Sequence, residues 1–246
     1  MLALEKLYAQ ASSVFGLKDD EVHLWRADLD LPQRCIGELK HSLSSDERSR
    51  AERFVFDEHR NRFIAGRGLL RHLLSRYAGL EPGRLEFSYG PWGKPALASG
   101  GVEETLCFNV SHSHDVALYA VARNRAVGID IERIHPERDV EALATSVFLP
   151  GECALIRSLP PAQKVEAFFK GWTIKEAYVK ATGRGLAAME QVEVTLSPGA
   201  PAALVAVNGD AQAAARWSLC EIEPFRDYVG ALVVEGQGWR LNQFTL

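Results

Sequence analysis

Three carboxylates and an ammonium are spaced along this chain so that regular secondary structure alone would turn them toward common faces. In the segment 168–186, FFKGWTIKEAYVKATGRGL, residues Trp172, Glu176 and Lys180 recur at every fourth position and share one helix face, with Phe168 one turn earlier. In the segment 126–132, AVGIDIE, small and β-branched residues favour a strand. Its period of two puts Asp130 and Glu132 on one face and Ile129 and Ile131 on the other. A Glu–Lys pair four residues apart is by itself an ordinary helix-surface contact worth about 0.2–0.5 kcal/mol. Converging carboxylates are less ordinary, because they repel unless one keeps its proton or a cation lies between them. Asp130, Glu132 and Glu176 together therefore point to a hard divalent ion. Magnesium fits best: it prefers oxygen ligands, keeps waters and completes its shell with substrate phosphates. The pattern asks for a phosphate-bearing substrate.

The scaffold available to hold these groups is 246 residues long, enough for one large domain or two small ones with a sizeable core. Hydrophobic residues at 47% and charged ones at 24% are ordinary for a globular chain and argue against disorder. A net charge of −4 leaves no electrostatic footprint for nucleic acid. Cys35, Cys107, Cys153 and Cys220 are widely spaced without a C-x-x-C pair, which argues against a zinc site and against a disulfide framework. A reducing cytoplasm is the expected setting. Glu5 and Lys6 interrupt what would have to be a signal-peptide core, and no later apolar run approaches the roughly 18 residues of a membrane span.

Taken in order, the pattern predicts a short N-terminal helix, a strand over 21–28, a helix opened by Ser44 or Ser45, and a long helix over about 57–77. The last carries Arg60, Arg62, Arg67 and Arg71 against few acids, so its exposed face reads as basic. A short strand at 85–88 leads into the loop YGPWGKP, with Lys94 at its tip. Strands over 105–110 and 116–123 flank SHSHD (Ser111–Asp115), which reads as a turn.

The second half replays the first. Phe63-Ile-Ala-Gly66 aligns with Phe168-Phe-Lys-Gly171, 168 − 63 = 105 positions on. Gly79-Leu80 aligns with Gly185-Leu186 at 185 − 79 = 106, and Asp115 with Asp227 at 227 − 115 = 112. The expected fold is α+β: two pseudo-symmetric halves, residues 1–125 and 126–246, each an antiparallel sheet packed on a long helix. Paired like a symmetric dimer, they would leave an active-site cleft between them in a monomeric chain.

FNVSHS (Phe108–Ser113), GIDIE (Gly128–Glu132) and FFKGWTIKEAYVK (Phe168–Lys180), in this order, resemble the phosphopantetheinyl transferase superfamily, specifically its Sfp-type with duplicated halves. Each motif alone is weak, but the three span the central third of the chain and YGPWGKP extends the match. The resemblance implies transfer of the 4'-phosphopantetheine arm from coenzyme A to a serine of an apo acyl or peptidyl carrier protein, with release of adenosine 3',5'-bisphosphate. It implies that Asp130, Glu132 and Glu176 are magnesium ligands, that Glu176 also serves as base, and that Lys180 meets the pyrophosphate. It assigns Arg50, Arg62, Lys94, Ser111 and His112 to the nucleotide, with Arg67 as an addition. Where some members have a lysine this chain has Glu47, and where some have a threonine it has Phe63, which leaves the 3'-phosphate contacts open. The same carboxylates would also serve a magnesium-dependent phosphohydrolase, and a noncatalytic carrier-binding module of the same fold is a third reading. A serine hydrolase is disfavoured, since no G-x-S-x-G elbow is present.

Overall fold

The strand Glu21–Asp28 (β1) opens a series of elements that the chain goes through twice. The structure, a computed structural model, describes residues 16–98, 106–135, 139–197, 199–223 and 227–246; the helix expected at the N-terminus lies outside the described residues. After β1 come α1 (Gln33–Ser42), α2 (Ser45–Ala51), the long α3 (Asp57–Ala78), a 3-10 turn (Pro82–Arg84), the short strands β2 (Phe87–Tyr89) and β3 (Pro95–Leu97), and the hairpin β4 (Leu106–Ser113) and β5 (Val116–Arg123). The second series is β6 (Val127–Arg133), α4 (Val140–Ala144), α5 (Pro150–Ser158), the long α6 (Pro161–Thr182), a 3-10 turn (Leu186–Gln191), β7 (Val192–Val194), β8 (Leu204–Val207), α7 (Ala211–Ala215), β9 (Trp217–Ile222) and β10 (Tyr228–Glu235). The repeat extends to the sheets, whose antiparallel orders are β1-β5-β4 and β6-β10-β9. This is the α+β, pseudo-symmetric architecture that the repeat implied. One strand breaks the symmetry: β11 (Arg240–Thr245) crosses to the first sheet and pairs with β1 in parallel.

Both long helices have 22 residues and both stop at a glycine in the left-handed region, Gly79 (φ 67) and Gly183 (φ 68). Only glycine takes that conformation without a Cβ penalty. The structural counterpart of Gly79 is thus Gly183, where the Gly-Leu match had suggested Gly185. The helix carrying Glu176 also begins earlier than its aromatic run, at Pro161, whose fixed φ suits a first helical position.

Packing produces a stack of helix, sheet, sheet and helix. Between the sheets lie Val22, Leu24, Leu118 and Ala120 from one and Ile129, Ile131, Leu232 and Val234 from the other. The far face of the first sheet packs Trp25 and Val121 against Ile64, Leu70 and Leu74 of α3. The far face of the second packs Ala231 and Val233 against Ile174, Ala177 and Tyr178 of α6. The alternation read from GIDIE therefore holds: the isoleucines fill the inter-sheet core, and Gly128, Asp130 and Glu132 turn to α6.

Two expectations are corrected. SHSHD is not a turn: β4 continues through Ser113, paired as Ser111↔Leu118, His112↔Ala117 and Ser113↔Val116, and only His114 (φ 54) and Asp115 reverse the chain. The buried partner strand holds these weak strand formers extended, so tertiary context overrides their propensity. Nor is the arginine face of α3 simply exposed. Arg71 is buried at 1% exposure and gives Nε to Glu47 Oε2 at 2.6 Å, and Arg67 gives Nε to Glu47 Oε1 at 2.5 Å. Glu47 also accepts the Ser44 amide at the start of α2, so its carboxylate pins α2 to α3.

Candidate active site

Close approach of α6 to β6 starts from Gly128. A Cβ there would lie 2.0 Å from Ala177 O and 2.3 Å from Ala181 N, so nothing larger than glycine fits under the helix. At that spacing Lys180 Nζ reaches Asp130 Oδ1 at 2.6 Å and Ser111 Oγ at 3.1 Å, and Ser111 donates its own proton to Asp130 Oδ1 at 2.7 Å. Asp130 is 3% exposed, and its second oxygen, Oδ2, is buried with no hydrogen-bond partner among the described residues. Two positions on, Glu132 Oε2 accepts the Ser113 hydroxyl at 3.0 Å. Glu176, one turn before Lys180, is half-buried. Burial raises its carboxyl above the usual range; Lys180 opposes that, and the charges of Asp130 and Glu132 add to it.

These groups fit magnesium by their chemistry. All are oxygen donors, one is a buried carboxylate oxygen left without a partner, and a third carboxylate feels the other two. Among the described residues no three His, Cys, Asp or Glu side chains are closed around a single metal position; the Lys180 ammonium holds the cationic place beside Asp130.

Beside this cluster the first half forms a cavity of about 400 Å³ lined by Arg50, Phe54, His59, Arg62, Phe63, His112 and His114. Arg50 lies 5.3 Å over the Phe63 ring, which in turn packs 5.4 Å from Phe54. Arg62 is held by Asp30 through two bonds of 2.6 and 2.7 Å. Burial pushes the His112 imidazole below its usual range, and Lys180 pushes the same way. A second cavity, of about 230 Å³, lies between the halves, where Trp92, Lys94 and Pro95 face Lys180, Gly183 and Arg184. Lys94 Nζ donates to Ala181 O at 2.9 Å and Val127 O at 3.2 Å, and burial brings its pKa down to about 8.

The residues singled out in the sequence thus fall into three places. Asp130, Glu132, Glu176, Lys180 and Ser111 come together at the β6–α6 crossing. Arg50, Arg62 and His112 line the larger cavity, and Lys94 shares the smaller one with Lys180. Arg67 lines neither: besides Glu47 it binds Tyr89 Oη at 2.5 Å.

Two family models match consecutive stretches of the chain, one described as 4'-phosphopantetheinyl transferase, N-terminal, over residues 33–124, the other as the 4'-phosphopantetheinyl transferase superfamily, over residues 126–233. The 4'-phosphopantetheinyl transferase HetI of a Nostoc species is 50% identical over 224 residues, covering 91% of this chain and 92% of its own. The chain belongs to the 4'-phosphopantetheinyl transferase family. It is a transferase of that class, and the likeness extends to AcpT of Escherichia coli, 42% identical over 124 residues (50% of this chain, 58% of that one), and to a 4'-phosphopantetheinyl transferase of Bacillus subtilis, 30% identical over 145 residues (59% and 62%).

In the transferase, three residues that sequence reasoning passed over hold this site in place. Asn109 Oδ1 accepts the Ile129 amide at 2.8 Å, Ser113 Oγ accepts the Arg133 amide at 3.1 Å, and Gly128 admits α6. A signal for the first two exists: NVSHS alternates, putting Asn109, Ser111 and Ser113 on one side of a strand. Reading SHSHD as a turn hides it.

Proposed function

We propose that this chain transfers the 4'-phosphopantetheine arm of coenzyme A to a serine hydroxyl of an apo acyl or peptidyl carrier protein, releasing adenosine 3',5'-bisphosphate, with magnesium as cofactor. The observation that carries the reading is the buried, unpartnered Oδ2 of Asp130 beside Lys180 and two further carboxylates. Asp130, Glu132 and Glu176 would hold the ion, which when bound supplies Lewis acidity toward the pyrophosphate. Glu176, whose proton affinity is raised by burial, is suited to accept the proton of the incoming serine, directly or through a water. Lys180 offsets negative charge on the departing phosphate. Ser111 orients Asp130 and Lys180; buried at 6% exposure, it would reach the nucleotide end only by exchanging those partners.

Arg50, Arg62 and His112 receive the nucleotide in the larger cavity, the arginines through paired donors and the neutral imidazole through a ring N–H. Lys94 and Arg67 belong to the nucleotide set only by exchanging their present carbonyl, Glu47 and Tyr89 partners for phosphate. In this reading residues 1–125 form the nucleotide side and 126–246 carry the metal and catalytic groups, in a cytoplasmic monomer whose partners are coenzyme A and the carrier.

Incubation with coenzyme A, magnesium and a panel of apo carrier proteins tests the proposal by mass spectrometry. A gain of the phosphopantetheine mass on the acceptor serine is expected. Cleavage of coenzyme A without any acceptor, and no mass gain on any carrier, would establish a phosphohydrolase instead. Light scattering checks the monomer.

A further inference from the structure

Beside the face-to-face core of the two sheets, their edge strands β4 and β6 come together, and no backbone ladder joins them. Side chains stand in for it. Three alternate residues of β4, Asn109, Ser111 and Ser113, are polar and turned on β6: Asn109 Oδ1 accepts the Ile129 amide, Ser111 donates to Asp130, and Ser113 Oγ accepts the Arg133 amide. Edge amides withdrawn from water need acceptors, and these two, one buried and one part-buried, get them from side chains. A serine hydroxyl has a single proton to give. With the Arg133 amide occupying one of its lone pairs, Ser113 sends that proton to Glu132 Oε2 at 3.0 Å; His114 Nδ1, at 3.5 Å, is a much longer alternative. The arrangement parallels Ser111, which receives from Lys180 and gives its proton to Asp130. Each carboxylate of β6 therefore has its own serine on β4. Ser113 is 7% exposed, too deep to meet a substrate.

We propose that Ser113 is a positioning residue for the metal centre: its hydrogen bond fixes the Glu132 carboxylate in the orientation from which it would take part in holding the cation. The inference rests on the reading of Asp130, Glu132 and Glu176 as magnesium ligands. Partners that orient metal-binding side chains typically change metal affinity by roughly 10–100-fold when removed. Ser113→Ala loses both the donor to Glu132 and the acceptor for Arg133, whereas Ser113→Thr keeps both and Ser113→Cys keeps the volume with a far weaker donor.

The test is calorimetric titration of magnesium chloride into the full chain saturated with coenzyme A, with the magnesium dependence of transfer as a second readout. Ser113→Ala and Ser113→Cys are expected to weaken magnesium binding at least about tenfold, and to raise the KM for magnesium while leaving kcat at saturating metal near wild type. Ser113→Thr should restore both. Tyr119→Phe, which removes a buried hydrogen bond to Gly66 O in the first half, should lower the unfolding midpoint and leave magnesium affinity within about threefold. Should the wild type bind magnesium and Ser113→Cys bind it equally well, the positioning role is overturned and the metal site stands. A wild type that binds no magnesium in the presence of coenzyme A overturns the metal site itself, and this inference with it.

Discussion

Replacing Gly128 by alanine puts a methyl group where α6 crosses β6. The added Cβ would stand 2.0 Å from Ala177 O, and Cβ atoms essentially never come within 3.0 Å of another heavy atom, so strand and helix must part by at least 3.0 − 2.0 = 1.0 Å. Both near atoms are backbone, so no rotamer change relieves the clash. An opening of that size stretches the 2.6 Å Lys180–Asp130 pair to about 3.6 Å, beyond hydrogen-bond range. Misplacing reacting groups by about 1 Å costs on the order of a hundredfold in rate, and overpacking of this kind costs about 1–3 kcal/mol in stability. For a chain of this length each kcal/mol lowers the unfolding midpoint by about 2–4 °C. The assay is carrier modification under saturating coenzyme A, at a temperature below both midpoints. Gly68→Ala is the matched control: its Cβ would come 2.7 Å from Leu39 Cβ in the α1–α3 packing, so it should lose comparable stability and keep its rate. A folded Gly128→Ala protein that transfers as fast as wild type would refute the view that this crossing sets the catalytic geometry.

Other perturbations follow the same reasoning. Asp130→Ala removes the acceptor of both Lys180 and Ser111, and transfer should fall about a hundredfold or more; rates measured across a magnesium series check it. Lys175→Met should destabilise by about 3–5 kcal/mol, because the ammonium is wholly buried 2.6 Å from Glu152 and its removal leaves that buried carboxylate without a countercharge; urea titration reads it, with Lys175→Met/Glu152→Leu recovering part of the loss. Burial, reinforced by Arg76, holds the His72 imidazole down at about 4. The unfolded chain therefore takes up this proton near 6.5 and the folded chain does not, so stability should fall as pH drops from about 6.5 toward 4; His72→Gln should flatten that part of a denaturation-against-pH series.

Much of the site was legible because period and spacing are local properties. A strand must alternate, so GIDIE gives the facing of Asp130 and Glu132, and a helix must bring every fourth residue round, so Glu176 and Lys180 follow. That β6 and α6 would meet rested on the repeat of whole elements, which survives in the matched 22-residue helices. What stayed hidden depends on partners distant in sequence. Ser111–Ser113 is extended only because β5 pairs with it, and Glu47 looked like a departure from a ligand-binding lysine until Arg67 and Arg71 were seen to enclose it. The position of Lys94 at the loop tip was readable, but its two carbonyl partners, Val127 and Ala181, lie in the other half.

The crossing of β11 to the first sheet bears on how the chain acquires its structure. The outer edge of β1 is completed by residues 240–245, and Phe244 stacks 4.4 Å from the Trp25 ring. The Arg240–Glu21 contact that opens this pairing joins residues 219 apart. Pairing residues so far apart in sequence slows folding, and a ribosome releases the N-terminal segment first. The first half, with its own helices and hairpin, must therefore wait with the edge of β1 unpaired and Trp25 lacking its stacking ring until β11 is made. Its maturation is tied to synthesis as far as β11, and a fragment ending after β5 would carry a sticky strand edge in place of a finished domain.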